Sequence, residues 1–238
     1  MWAGICIIAL LTAVPAVRAN ADVRDLIARY QAESVFWQQA DMTDAIVERA
    51  TRGDLVPLEP WLTHADRHIR GNVAYLFARM GDRRGFDVIV DMLSDRSPHR
   101  TLGPGLAIDM GSEPSPGKIA GQINSDRYYA VHLLGELRDR RAVEVLIPLL
   151  ADPDINYKVT WALGQIGDSR AITPLVGALK DKDALVRTMA IGALVKLDAK
   201  SALPAIEALE DDESYPNAGK RITVGETARE AAETLRNR

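Results

Sequence analysis

The chain has 238 residues, of which 47% are apolar and 26% charged, with a formal net charge of −4 and a single cysteine. This composition excludes a disordered or fibrous chain and supplies a core for one extended domain or two small ones. It offers no basic surface of the kind nucleic acid demands, so no nucleic-acid partner is expected.

Residues 2–17, WAGICIIALLTAVPAV, are uncharged and mostly apolar, and small residues follow at Val17, Ala19 and Ala21. Residues 1–21 therefore read as a signal peptide, too short for an ordinary membrane span, which predicts an exported, periplasmic or extracellular protein with no span in the mature chain. A retained N-terminal anchor is the alternative. Cys6 falls inside this segment, so the mature chain has no thiol for disulfides, nucleophilic chemistry or zinc, and its stability must come from packing.

Residues 22–65 are expected to form N-terminal helices, including a degenerate repeat at 34–64. From residue 66 the chain repeats itself. YYAVHLLGELRDRRAVEVLIPLLAD (128–152) aligns without gaps on YKVTWALGQIGDSRAITPLVGALKD (157–181), and the template also fits 72–95 and, with one residue lost at the turn, 188–211. Each unit carries two runs of helical periodicity, for example Val159, Ala162, Leu163, Ile166 and then Ile172, Leu175, Val176, Leu179, split by the turn Gly167-Asp168-Ser169. Such short helix pairs must stack to cover their apolar faces. The predicted fold is an all-α, right-handed α-solenoid over residues 66–213, followed by a loop and a capping helix over 214–238. Glu226, Arg229, Glu230, Glu233 and Arg236 give that last helix a polar outer side.

The motif ALGQIGDSRAITPLVGAL (162–179) resembles HEAT repeats of the short, phycobilisome-lyase-like type. The resemblance implies a ladder between neighbouring repeats built from Arg70, Arg127 and Arg187 with Asp95, Asp152, Asp181 and Asp211, in which Asn156 breaks one rung. Some HEAT-like enzymes hold a di-iron centre through repeated His-Glu dipeptides, and this chain has none. Bilin lyases are the other enzymatic relatives, and an exported chain does not suit their substrates.

His64 and His68 are spaced i, i+4, but THADRH spans a repeat junction and is not a zinc motif. Gly117-Lys118 and Gly219-Lys220 lack both the preceding glycine and the following Ser or Thr of a phosphate loop. No metal, cofactor or catalytic residue is assigned. The informative departure is aromatic. The position seven before the turn aspartate reads Tyr75, His132 and Trp161, and Tyr128 and Tyr157 stand four residues before the last two. Stacked repeats would align these rings as one stripe.

Between Asp95 and Asp139 about 28 residues are inserted, giving a loop over about 97–124. Its prolines and glycines predict little regular structure, yet it keeps apolar residues including Leu106, Ile108 and Met110, which are expected to dock beside the stripe. The sequence thus predicts a monomeric, non-catalytic solenoid that binds or scaffolds a protein partner. The alternatives are a lyase-like enzyme or enzyme subunit using the loop edge as a pocket, and a membrane-anchored envelope assembly factor.

Overall fold

A computed structural model describes residues 22–97, 116–217 and 221–238. The predicted signal peptide and the apolar loop residues Leu106, Ile108 and Met110 lie outside the described residues. The elements are α1 (Val23–Ala32), α2 (Phe36–Asp41), α3 (Thr43–Val47), a 3₁₀ stretch (Arg52–Thr63), α4 (Arg67–Arg79), α5 (Arg83–Ser94), α6 (Pro116–Leu137), α7 (Ala142–Leu146), α8 (Asn156–Ile166), α9 (Ile172–Ala178), α10 (Ala184–Lys196), α11 (Leu203–Glu207) and α12 (Val224–Asn237). There is no strand among the described residues. No described helix is long and apolar enough to cross a membrane.

The first helices of the units, α4, α6, α8, α10 and α12, pack one on the next, with α5 against α4 and α6, α9 against α10, and α11 against α12. The result is an all-α solenoid with one continuous core, running from Leu26 and Tyr30 through Leu76, Leu134, Leu163 and Leu194 to Leu235. Small residues set the spacing of the first helices. A Cβ built on Gly135 would lie 3.1 Å from Ala162 Cα, and one on Gly164 would lie 2.8 Å from Ala193 Cα, so α8 and α10 meet almost backbone to backbone.

Turn chemistry repeats as well. Asp82, Asp139 and Asp168 each accept the backbone N–H two residues on, and each grips that same residue's guanidinium, Arg84, Arg141 and Arg170. These hydrogen bonds hold all three carboxyls below the ordinary carboxylate range, Asp168 at about 2. Asp82 is in this way the N-cap of α5, a contact that contributes about 1 kcal/mol to the helix.

Four expectations need correction. The 34–64 segment forms two short helices and a 3₁₀ stretch, because Pro57 and Pro60 remove the amide donors an α-helical second half would need. The expected loop over 97–124 is helical from Pro116 onward. Proline is tolerated in a first turn, and Gly117 and Gly121 meet no neighbour that would oppose helix there. No residue is lost at the last turn. Asp198 (φ 50°) occupies the left-handed position of Gly167 (φ 74°), and Ala199 stands where the turn aspartate was expected. Finally, each rung closes within one unit. Arg127 pairs with Asp152, Arg70 with Asp95 at 3.3 Å, Asn156 with Asp181 at 3.2 Å, and Arg187 with Asp212, not Asp211, at 2.8 Å.

Cross-repeat links come from elsewhere on that edge. Arg67, 2% exposed, binds Asp95 in its own unit and reaches Asp126 of the next at 2.9 Å. Arg127 Nε donates back to the Leu93 carbonyl at 3.1 Å. Partial burial works against ionisation of Asp95, Asp152 and Asp212, but hydrogen bonds from their arginines and from the following backbone hold all three below the usual carboxylate range.

Candidate partner-binding face

The first helices present three columns of side chains on one face. Counted back from the turn, one column reads Gly71, Tyr128, Tyr157 and Thr188; the next Asn72, Tyr129, Lys158 and Met189; the third Tyr75, His132, Trp161 and Gly192. In the middle units these positions build an aromatic ribbon. His132 stacks on Trp161 with centroids 5.2 Å apart and planes 28° from parallel, and Tyr128 meets Tyr157 at 5.8 Å. Tyr129 continues the ribbon toward α4 and α2, touching His132 at 6.4 Å, His68 at 5.0 Å and Phe36 at 5.5 Å. Tyr75 makes no ring contact with the stripe among the described residues; its hydroxyl accepts from Arg79 at 3.1 Å.

The ribbon is half-buried and carries unusual polar groups. Lys158 Nζ sits 3.6 Å from the Trp161 ring centroid and 4.8 Å from that of Tyr128, a cation held between two π faces. Burial pulls this ammonium down to about 8, against the opposing pull of Glu136. Burial also lowers His132, helped by the charge on Lys158, and His132 Nδ1 is buried without a hydrogen-bond partner among the described residues. Tyr129 donates to Asn72 Oδ1, and burial pushes its phenol up. Asn72 in turn donates to the Phe36 carbonyl at 2.7 Å and to Gln39 at 2.9 Å, which ties the ribbon to the N-terminal helices.

Asp126 is engaged by Arg67, while His132 is stacked on Trp161. His64 precedes α4 and accepts the Asp66 amide N–H, so it does not share a helix with His68. Among the described residues no group of three or more His, Cys, Asp or Glu could hold a metal ion.

A family model of HEAT repeats matches residues 124–179 and 151–219, which contain the rungs at Arg127, Asn156 and Arg187. HEAT repeats therefore occupy residues 124–219 of this chain. No curated protein matches it. Among solved structures, an engineered protein is similar at 19% identity, covering 91% of this chain and 97% of that one with a TM-score of 0.48. A computationally designed armadillo repeat protein for modular peptide recognition is similar at 17% identity, covering 90% of this chain and 99% of that one, also with a TM-score of 0.48.

Within this HEAT-repeat segment the three columns change character at α10. Thr188, Met189 and Gly192 replace Tyr157, Lys158 and Trp161, and with Trp161, Ala193, Lys196 and Thr227 they line a largely apolar slot of about 300 Å³. A Cβ built on Gly192 meets nothing within 4 Å, so the slot is the space a third stacked side chain would have filled. Sequence reasoning found the stripe but missed Tyr129, Lys158 and the slot. Their signal was available in the repeat alignment, since Tyr129 and Lys158 share a column one place after Tyr128 and Tyr157.

Proposed function

We propose that this chain is a non-catalytic, protein-binding or scaffolding solenoid of the exported or cell-envelope compartment, and that it engages its partner through the first-helix face of α6, α8 and α10. One observation carries this reading: the aromatic ribbon ends in an apolar slot instead of closing on itself. Soluble surfaces do not ordinarily keep stacked rings beside an unfilled apolar recess, and such patches mark interaction sites. Aromatic side chains are also the residues that most often anchor protein interfaces.

The test is site-specific photocrosslinking in the producing cell, with a benzoylphenylalanine placed at Tyr157 or Met189 on this face, and at Thr173 or Pro174 on the second helix α9. Partner adducts from the first pair and none from the second support the reading; the reverse pattern overturns it. Export is tested separately by N-terminal sequencing of the chain recovered from the envelope or medium. A start at Asn20 or Asp22 supports it, and an intact Met1 found only in the cytoplasm contradicts it.

A further inference from the structure

We infer that the slot beside Trp161 receives an aromatic or large aliphatic side chain from an acidic segment of the partner, seated over Gly192 with its flanking carboxylates toward Lys196 and Lys158. This inference rests on the proposed binding face and specifies the chemistry of what binds there.

The apolar half of the argument is the repeat itself. His132 and Trp161 are consecutive members of one column, stacked at 5.2 Å, and Gly192 is the next. A ligand ring over Gly192 would continue the stack that the chain begins. Met189, Ala193 and Trp161 supply apolar walls, and the volume suits one large side chain, not a whole peptide.

The charged half comes from what the two flanking helices contain. Neither α8 (NYKVTWALGQI) nor α10 (ALVRTMAIGALVK) carries a single Asp or Glu, in a chain whose formal net charge is −4. Their cations are Lys158, Arg187 and Lys196. Arg187 is spent on Asp212 at 2.8 Å, whereas among the described residues Lys196 donates to the neutral Gln165 at 2.9 Å and Lys158 lies against rings. None of the residues that line the slot is an Asp or Glu; Glu136, whose charge acts on Lys158, belongs to α6, and Glu226 of α12 is used in the capping box with Thr223. An apolar slot lined by the cation Lys196 and no acid, with the largely buried Lys158 beside Trp161, is complementary to an acidic segment bearing one apolar anchor.

The test is a displayed library of random dodecapeptides selected on the full chain, followed by calorimetric titration of the recovered peptides against wild type, Gly192→Leu and Lys196→Glu. Gly192→Leu fills the slot without touching the fold's packing, and circular dichroism verifies that it is folded. Expected are peptides with Phe, Trp or Leu flanked by Asp or Glu, at least about tenfold weaker binding to either variant, and weaker binding to wild type as salt rises. No enrichment, basic flanks, or equal binding to Gly192→Leu would overturn the inference. So would wild-type self-association abolished by Gly192→Leu, which would make the occupant a second copy. Crosslinks from Tyr157 or Met189 without this peptide chemistry would sink the inference and leave the binding face standing.

Discussion

The rung edge and the first-helix face are written on the same helices but obey different rules. On the edge every unit repeats one device, Arg70–Asp95, Arg127–Asp152, Asn156–Asp181 and Arg187–Asp212, always 25 residues apart. On the face the same units differ at every step, from Gly71, Asn72 and Tyr75 through the rings of α6 and α8 to Thr188, Met189 and Gly192. The edge repeats because each unit must hold its own two helices in the same relation. The face is free of that demand, so a change along its columns is informative where a change along the edge would simply be damage.

Breaking the edge should have the largest effect. Arg67→Met removes a buried guanidinium that serves Asp95, Asp126 and Ser97 together, and should cost about 3–5 kcal/mol by denaturant unfolding. Overpacking the helix spacing comes next. Gly164→Leu forces a side chain against Ala193 backbone and should cost about 2–3 kcal/mol, read as a melting temperature lower by roughly 4–12 °C. The rungs also predict an acid response. Asp95, Asp152 and Asp212 are held low in the fold, so their contribution is complete above about pH 4 and fades as pH falls through the lowered values. The melting temperature should drop below about pH 4, and Arg127→Met should flatten that drop because it leaves Asp152 closer to its unfolded behaviour.

Sharpening the comparison takes gentler changes. Asn156→Arg would charge the neutral rung and should shift stability by less than about 1 kcal/mol, since Asp181 is partly solvated. Gly192→Leu should leave stability unchanged or raise it by up to about 1 kcal/mol, because an open helical glycine is replaced by a good helix former. Two glycines in adjacent first helices would then differ in sign, one closed by packing and one open.

The solenoid could be read from the sequence because its signal is periodic and local: Leu134, Leu163 and Leu194 each mark a first helix, and the stacking follows from their exposed apolar stripes. Register was harder. Asp198 looks like the turn aspartate, but its backbone takes the left-handed position of Gly167, and the misreading displaced the rung from Asp212 to Asp211. The helix beginning at Pro116 was hidden by glycines and prolines that a first turn tolerates. At the candidate site the aromatic stripe was visible, because unlike residues in a repeated column stand out. The slot was not, since it is defined by what Gly192 lacks, and an empty position shows itself only when the neighbouring helices are in place.

The most direct test of the account is photocrosslinking from Met189 in a folded Gly192→Leu chain, compared with the same probe beside glycine. Loss of the partner adduct at an unchanged or raised melting temperature is the predicted result. An adduct of undiminished yield from the filled slot would contradict the claim that this face, open at Gly192, is where the partner docks.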